Sequence, residues 1–427
     1  MTSTSSLLDT TDESHSMAVD GSSSIVFSPS TAKARYRAEM TTATIHNTTD
    51  MDDNGNNTAN EEVMKPKSPF SPFALIHSGS VAEATYKSFF LLTENITLPL
   101  YLIALATNIC NVIVFCQKRM RSPTSTILLA MCISQVLYLS CTLVTKTMRY
   151  IYGKEVESVR FYKLYGLYVN LYVAVALGRL GFCYNFLLSA ERFIAVTFPL
   201  QAKSMRLVKN PSVVCVLIMV ASFVGHIFSP MKFYVKPYST SDNITVYRYA
   251  SSPLYVKYEV HFMNCSLASQ FIFVYFMLLG CLVFNFLIVI SLRRHSKARQ
   301  SMKTTQNTGD AQKKEMQTTI TIMASTVVVV ILALPSNANS FASSFNDDYG
   351  LFTREHYLFS LVTMVGGICQ LVSNFTNFFF YIALSATFRK TFIQVFIPCA
   401  TSGKSAKSTV TGTSNLGTVS ADISRRN

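Results

Sequence analysis

SAERFIAVTFPL, residues 189–200, ends a long apolar run with an adjacent acid and base, Glu191 and Arg192, followed by Phe193 and then Pro199. A soluble helix carries such a pair on its wet face without consequence. In a run that crosses a membrane, a charge is costly unless it is partnered or snorkels to the interface. Which of these applies depends on the rest of the chain.

Of the 427 residues, 49% are hydrophobic and only 14% charged, whereas soluble proteins carry about 25% charged residues. Seven apolar segments stand out, at about 96–117, 125–145, 164–190, 211–229, 267–292, 318–342 and 356–384. Each is of the length, roughly 18 residues or more, that marks a spanning helix. The expected fold class is therefore an all-α membrane protein, a seven-transmembrane helix bundle. A shorter amphipathic piece, SATFRKTFIQVFIP (385–398), follows as an eighth helix lying on the membrane surface. No repeat relates the segments, which argues against an inverted-repeat transporter.

The flanks read differently. Residues 1–92 are rich in Ser, Thr, Asp and Asn without apolar periodicity, and are expected to be a disordered extracellular tail. No hydrophobic region follows the initiator Met, so no cleavable signal peptide of the usual form is expected. Residues 93–384 form the bundle, and 399–427 a disordered cytoplasmic Ser/Thr-rich tail. The net charge of +14 is spread over several short loops, so no nucleic-acid partner is expected. The ten cysteines lack metal-ligand spacing and most fall inside apolar runs. No paired carboxylates or nucleophile-base pair emerge, so neither an enzyme site, a metal nor a cofactor is implied.

Two signals orient the bundle. Besides Arg192, the connections after the first, third and fifth segments and residues 385–398 after the seventh hold fifteen Lys and Arg, and the opposite short loops ten. That bias puts the amino end outside. Asn47, Asn56, Asn95, Asn243 and Asn264 each begin an Asn-x-Ser/Thr glycosylation signal and all fall on the same outer side or its edge. A sixth signal, at Asn374, lies inside the seventh segment and reads as chance. The chain is placed in the plasma membrane.

Arg179, in ALGRLGF, lies thirteen residues before Arg192, about 20 Å toward the outer side. An arginine at that depth costs at least about 2.5 kcal/mol unless hydrated or partnered. It either faces a watery cavity, where it meets an acidic or carbonyl group of a ligand, or bonds to polar groups of a neighbouring helix. Tyr162, Tyr165, Tyr168 and Tyr172 crowd the outer end of the same segment. They form either an interfacial belt or a peptide-binding vestibule.

The run ERFIAVTFPL resembles the end of helix three in rhodopsin-like G-protein-coupled receptors, where an acidic-Arg-aromatic triplet is often followed by xxAVxxPL. The likeness covers about residues 93–398. RMRSPTSTILLAMCIS (119–134) and NFTNFFFYIALSATFRKTF (374–392) are most similar to invertebrate neuropeptide and chemosensory receptors, including the FMRFamide-type group. Asn111 matches the helix-one Asn, Pro335 the helix-six Pro, and Asn377 and Tyr381 the outer letters of the helix-seven Asn-Pro-x-x-Tyr. Phe388 and Arg389 match the start of the eighth helix. Departures fall at Gln135, where the family has an Asp tied to sodium binding, at Ala333 for a Trp, at Phe378 for a Pro, and at Leu167 for a Cys that pairs with the second outer loop.

The resemblance implies a receptor that couples an extracellular peptide or small-molecule ligand to a heterotrimeric G protein. Arg192 is expected to bond Glu191 and Glu315 at rest and to be freed as helix six swings outward about Pro335. Asn111, Gln135 and Asn374 are expected as polar groups of the helix core. An arrestin-like partner of a phosphorylated tail, membrane lipid at the basic inner loops, and palmitoylation of Cys399 complete the expected partners and modifications. The alternatives are a receptor-like decoy or scaffold that binds without signalling, or a transporter or channel.

Overall fold

The computed structural model describes residues 79–198, 210–239, 244–301, 309–346, 348–350 and 353–397. Seven helices long and apolar enough to cross a membrane run through them. These are α1 (Glu83–Phe115), α2 (Pro123–Tyr152), α3 (Arg160–Thr197), α4 (Pro211–Gly225, with further turns to Lys232), α5 (Glu259–Arg294), α6 (Gly309–Phe345) and α7 (His356–Leu384). A short amphipathic α8 (Ala386–Phe396) follows. An integral, multi-pass seven-helix bundle is thus the architecture.

Local sequence accounts for several boundaries. Ser122 caps α2, its hydroxyl accepting from the Ser125 N–H at 3.1 Å, with Pro123 at the first helical position where no donor is needed. Gly153, at φ 65°, ends α2 in a conformation other residues avoid. Ser385 caps α8 in the same manner as Ser122.

The first helix begins at Glu83, before its apolar run does. A Glu83–Lys87 ion pair one turn apart stiffens the extension, and Tyr86 packs against Tyr357 of α7 at 5.3 Å between rings. Residues 83–92, expected to belong to the disordered tail, are thus helical; hydropathy does not report them because Glu83, Lys87 and Ser88 interrupt the apolar residues.

In the bundle, α3 is central, touching α2, α4, α5 and α6. About two-thirds of its apolar window (67%) is buried inside the protein, against 17% for α4. On α4 the exposed Val213, Val216, Leu217, Val220 and Val224 recur at helical spacing and form an apolar stripe on the outside of the bundle. One apolar core joins α1, α2, α3, α7 and α8, with Cys215 of α4 and Ile322 of α6, and a smaller one joins α3, α5 and α6 around Phe182, Val274 and Val330. Wide π-type turns interrupt α3 over Gly166–Ala174 and α5 over Phe271–Tyr275.

One addition to the helical plan is a β-hairpin between α4 and α5. Strands β1 (Phe233–Ser239) and β2 (Thr245–Ser251) pair antiparallel, Phe233 opposite Ser251 and Ser239 opposite Thr245. Both strands are rich in Tyr and Val, FYVKPYS and TVYRYAS. Its inner edge rests on α3, where the Tyr249 hydroxyl donates to the Lys163 carbonyl at 3.0 Å and the Lys163 ammonium sits 5.0 Å from the Tyr249 ring centre. Gly166 permits this approach, since a Cβ there would collide with the Tyr249 hydroxyl. Leu167 is buried beside it, and the cysteines of the described residues, Cys265 included, are free. Hydrogen bonding and cation–π contact attach the hairpin to α3.

Candidate functional site

Three polar layers descend along α3. At its inner end Arg192 and Glu191 are both buried. Neighbours in sequence do not normally face each other on a helix, yet the long guanidinium folds back onto the carboxylate. Its Nε lies 2.7 Å from Glu191 Oε2 and its Nη2 3.2 Å from Oε1. Thr124, set by the Ser122 cap at the start of α2, directs its hydroxyl at both carboxylate oxygens at 3.2 Å. Glu191 is thereby shared between Arg192 and α2, which answers the cost of the charges: they form a buried, hydrogen-bonded fork. Thr197 meets Ser291 of α5 at 3.0 Å one turn further on. Glu315 lies on α6, but its side chain is outside the described residues, as are Pro199 and Cys399.

The middle layer is a seam of amides between α1, α2 and α7. Asn108 donates to the carbonyls of Ala104 at 2.8 Å and Asn374 at 2.9 Å, tying α1 to α7. Asn111, Gln135, Asn374 and Asn377 are all buried beside this tie in the chain. Both amide atoms of Asn111 and of Asn377, the Gln135 Oε1 and the Asn374 Nδ2 meet no protein partner. Each such group costs about 1–3 kcal/mol if left dry. Tyr381, just below, is buried among Phe115 and Phe388, each ring 5.5 Å away. Arg389 of α8 donates to the carbonyls of Ile382 and Ala383, closing the end of α7.

The outer layer contains Arg179. It is buried, and its Nη2 donates to Gln270 Oε1 on α5 at 2.6 Å. A neighbouring helix therefore contributes a partner, through a glutamine 91 residues away. Arg179 also lines a cavity of about 50 Å³ shared by α2, α3, α6 and α7, together with Gln135, Asn185, Asn337, Gln370 and Asn374. Close by, His226 bridges the Ser222 carbonyl and the Ser269 hydroxyl at 2.8 and 2.9 Å, so α3, α4 and α5 are joined by polar contacts at the same depth.

Pro335 lies inside α6, where it leaves the carbonyl four residues earlier without its bond. Beside it α7 approaches closely: a Cβ on Gly366 would sit 2.8 Å from the Ser336 Cα.

The four outer tyrosines do not converge on the cavity. The hydroxyls of Tyr165 and Tyr172 donate to the carbonyls of Cys141 on α2 and Phe223 on α4, at 3.0 and 3.3 Å, and Tyr168 is exposed. Asn95 and Asn264 are exposed on α1 and α5, whereas Asn374 is buried. Asn47, Asn56 and Asn243 lie outside the described residues. Sequence reasoning missed Thr124, Gln270, Asn185 and Asn337, which are ordinary polar residues until the helices are packed. It also missed the outer cluster in which Arg149 pairs with Glu94 at 2.9 Å and with Glu157 at 2.6 Å. Burial pushes the Tyr249 hydroxyl above its ordinary value, which keeps it a donor to α3 at any physiological pH.

Seven spanning helices, a buried acid-arginine fork at the carboxyl end of the third and a docked eighth helix are the arrangement of a G-protein-coupled receptor. The chain belongs to the serpentine-type 7TM GPCR chemoreceptor Srw family, whose model matches residues 95–399. It is 25% identical over 312 residues to the "Probable G-protein coupled receptor B0563.6" of Caenorhabditis elegans, an alignment covering 70% of this chain and 67% of that protein.

Proposed function

We propose that the chain receives an extracellular small-molecule cue at the plasma membrane, amino end outside, and activates a heterotrimeric G protein. The observation that carries this is the buried Glu191–Arg192 fork, cross-tied to α2 by Thr124. An arginine held by one carboxylate can exchange that partner for a group of an intracellular protein when the neighbouring helices part. A cue drawing α6 and α7 together above Pro335 rotates the inner end of α6 outward, with the tight Gly366–Ser336 contact as fulcrum. Arg192 then leaves Glu191, and Glu315 as a second resting partner, for the G protein.

The size of the cavity favours a small cue over a peptide. At about 50 Å³ it lies far below the roughly 300–1,000 Å³ of drug-sized sites, so the cue's body sits above it and only a small group reaches Arg179. Tyr168, exposed at the outer end of α3, is placed to meet that body, while Tyr165 and Tyr172 hold α3 in position. Glycosylation at Asn47, Asn56, Asn95, Asn243 and Asn264, lipid contact and Cys399 palmitoylation at the inner side, and an arrestin-like partner of the phosphorylated tail belong to the same proposal.

The test is G-protein activation in transfected cells, wild type beside Arg192→Ala, across a panel of small metabolites at matched surface expression. A signal in the wild type that the mutant loses is expected. A signal that survives the mutation overturns the role of Arg192, and silence from both, with the receptor at the surface, favours a binding protein that does not signal.

A further inference from the structure

The cavity beside Arg179 has an unusual chemistry for a space deep within a membrane protein. Its lining includes one guanidinium and several amides and hydroxyls, and no Asp or Glu. A positive charge in low dielectric, walled by neutral dipoles, creates a local potential that favours an anion. Gln135 and Asn374 of the lining are more than nine-tenths buried; the atoms they leave without a protein partner are the Asn374 Nδ2, a donor, and the Gln135 Oε1, an acceptor that stays turned from an anion. One buried water needs about 10–15 Å³ of such space, so about 50 Å³ holds one ion with two or three waters and nothing larger. The cavity touches α2, α3, α6 and α7, the helices whose relative positions the proposed switch alters.

We propose that this cavity is a binding site for one compact monovalent anion, a halide or a carboxylate head group, held between the Arg179 guanidinium and the amide N–H group of Asn374. The carboxylate source rests on the function proposed above, as the small group of the cue that reaches Arg179. The halide source does not. An ion there joins α3 and α7 and stabilises the state in which they are closely packed.

Gly181 supplies a clean test. It lines the cavity, and a Cβ added to it meets nothing within 4 Å. Gly181→Val therefore adds side-chain bulk to the cavity wall at a position where a Cβ meets open space. The purified full chain in lipid nanodiscs is melted with a thiol-reactive fluorophore, which reports the exposure of buried Cys132, Cys183 and Cys281. At constant ionic strength, sodium gluconate is replaced stepwise by chloride, bromide or formate. A saturable rise in melting temperature of about 2–4 °C is expected for a well-occupied site, absent in Gly181→Val and in Arg179→Gln. A rise with the halides at millimolar concentration assigns the site to a free inorganic ion, and a rise with formate alone assigns it to a carboxylate head group. No anion-specific rise in the wild type overturns the proposal, as does an equal rise in Gly181→Val. Because the readout needs no G protein, a positive result stands even where the signalling assay fails.

Discussion

Replacing Glu191 by Gln keeps the shape of the inner fork and removes its charge. In the native chain the carboxylate accepts from Arg192 at 2.7 and 3.2 Å and from Thr124 at 3.2 Å, with both charged residues buried. Solvent screening is therefore slight. A glutamine oxygen still accepts one bond, while its NH₂ group faces the second guanidinium N–H, donor against donor. Hydrogen bonds to charged groups contribute about 1.5–3 kcal/mol and neutral ones about 0.5–1.5, so the resting state loses about 1–2 kcal/mol. At 1.4 kcal/mol per factor of ten, the active fraction rises about 5–30-fold from a minor population of order 1%. The assay is basal nucleotide exchange on a co-expressed G protein, ligand-free, with surface expression matched by antibody. Thr124→Val, which removes only the weaker contacts, should give a smaller rise of the same sign. Basal exchange unchanged in Glu191→Gln, together with a wild-type response that Arg192→Ala leaves intact, would refute the assignment of the fork as a restraint.

Three further outcomes are expected elsewhere in the molecule. Tyr249→Phe removes the bond from the hairpin to the Lys163 carbonyl and should cost about 1 kcal/mol, seen as faster hydrogen exchange in β1 and β2; reducing agent should leave the wild-type melting temperature unchanged. Gly366→Ala places a methyl 2.8 Å from the Ser336 backbone and should cost about 1–3 kcal/mol, read as a lower melting temperature, whereas Gly153→Ala is penalised only by its positive φ. At the outer rim, Ser80 donates through its N–H at 3.0 Å and its hydroxyl at 2.5 Å to Glu355, holding that carboxyl below its ordinary value. A depressed folded value means the tie is complete at neutral pH and is lost as pH falls through it, so the protection factor of the Ser80 amide, corrected for intrinsic exchange, should fall only in acid, and at all pH values in Glu355→Gln.

The departures from the rhodopsin-like pattern take on physical meaning in the folded chain. Leu167, in place of a cysteine, packs in the core beneath a hairpin attached by Tyr249 and Lys163. Gln135, in place of an acid, leaves the lining of the deep cavity without a carboxylate and under the influence of Arg179. Ala333 is buried in the small core with Phe182 and Val330, so α6 packs there on small apolar groups.

What the sequence determined by itself is what depends on one helix at a time. Apolar length set the seven spans, and the amphipathic run from Ser385 set the short helix that follows them. These signals are local, because a helix must satisfy its own backbone in lipid wherever its neighbours stand. Which side chains meet across helices was decided only by packing. Arg179 finds Gln270 after 91 residues and Glu191 finds Thr124 after 67, contacts fixed by the rotation and depth of each helix about α3. The hairpin, the outer Arg149 cluster and the anion-favouring cavity are likewise products of several elements at once. Lipid sees hydrophobicity summed along a segment, whereas a polar pair is set by atoms a few ångströms apart on different ones.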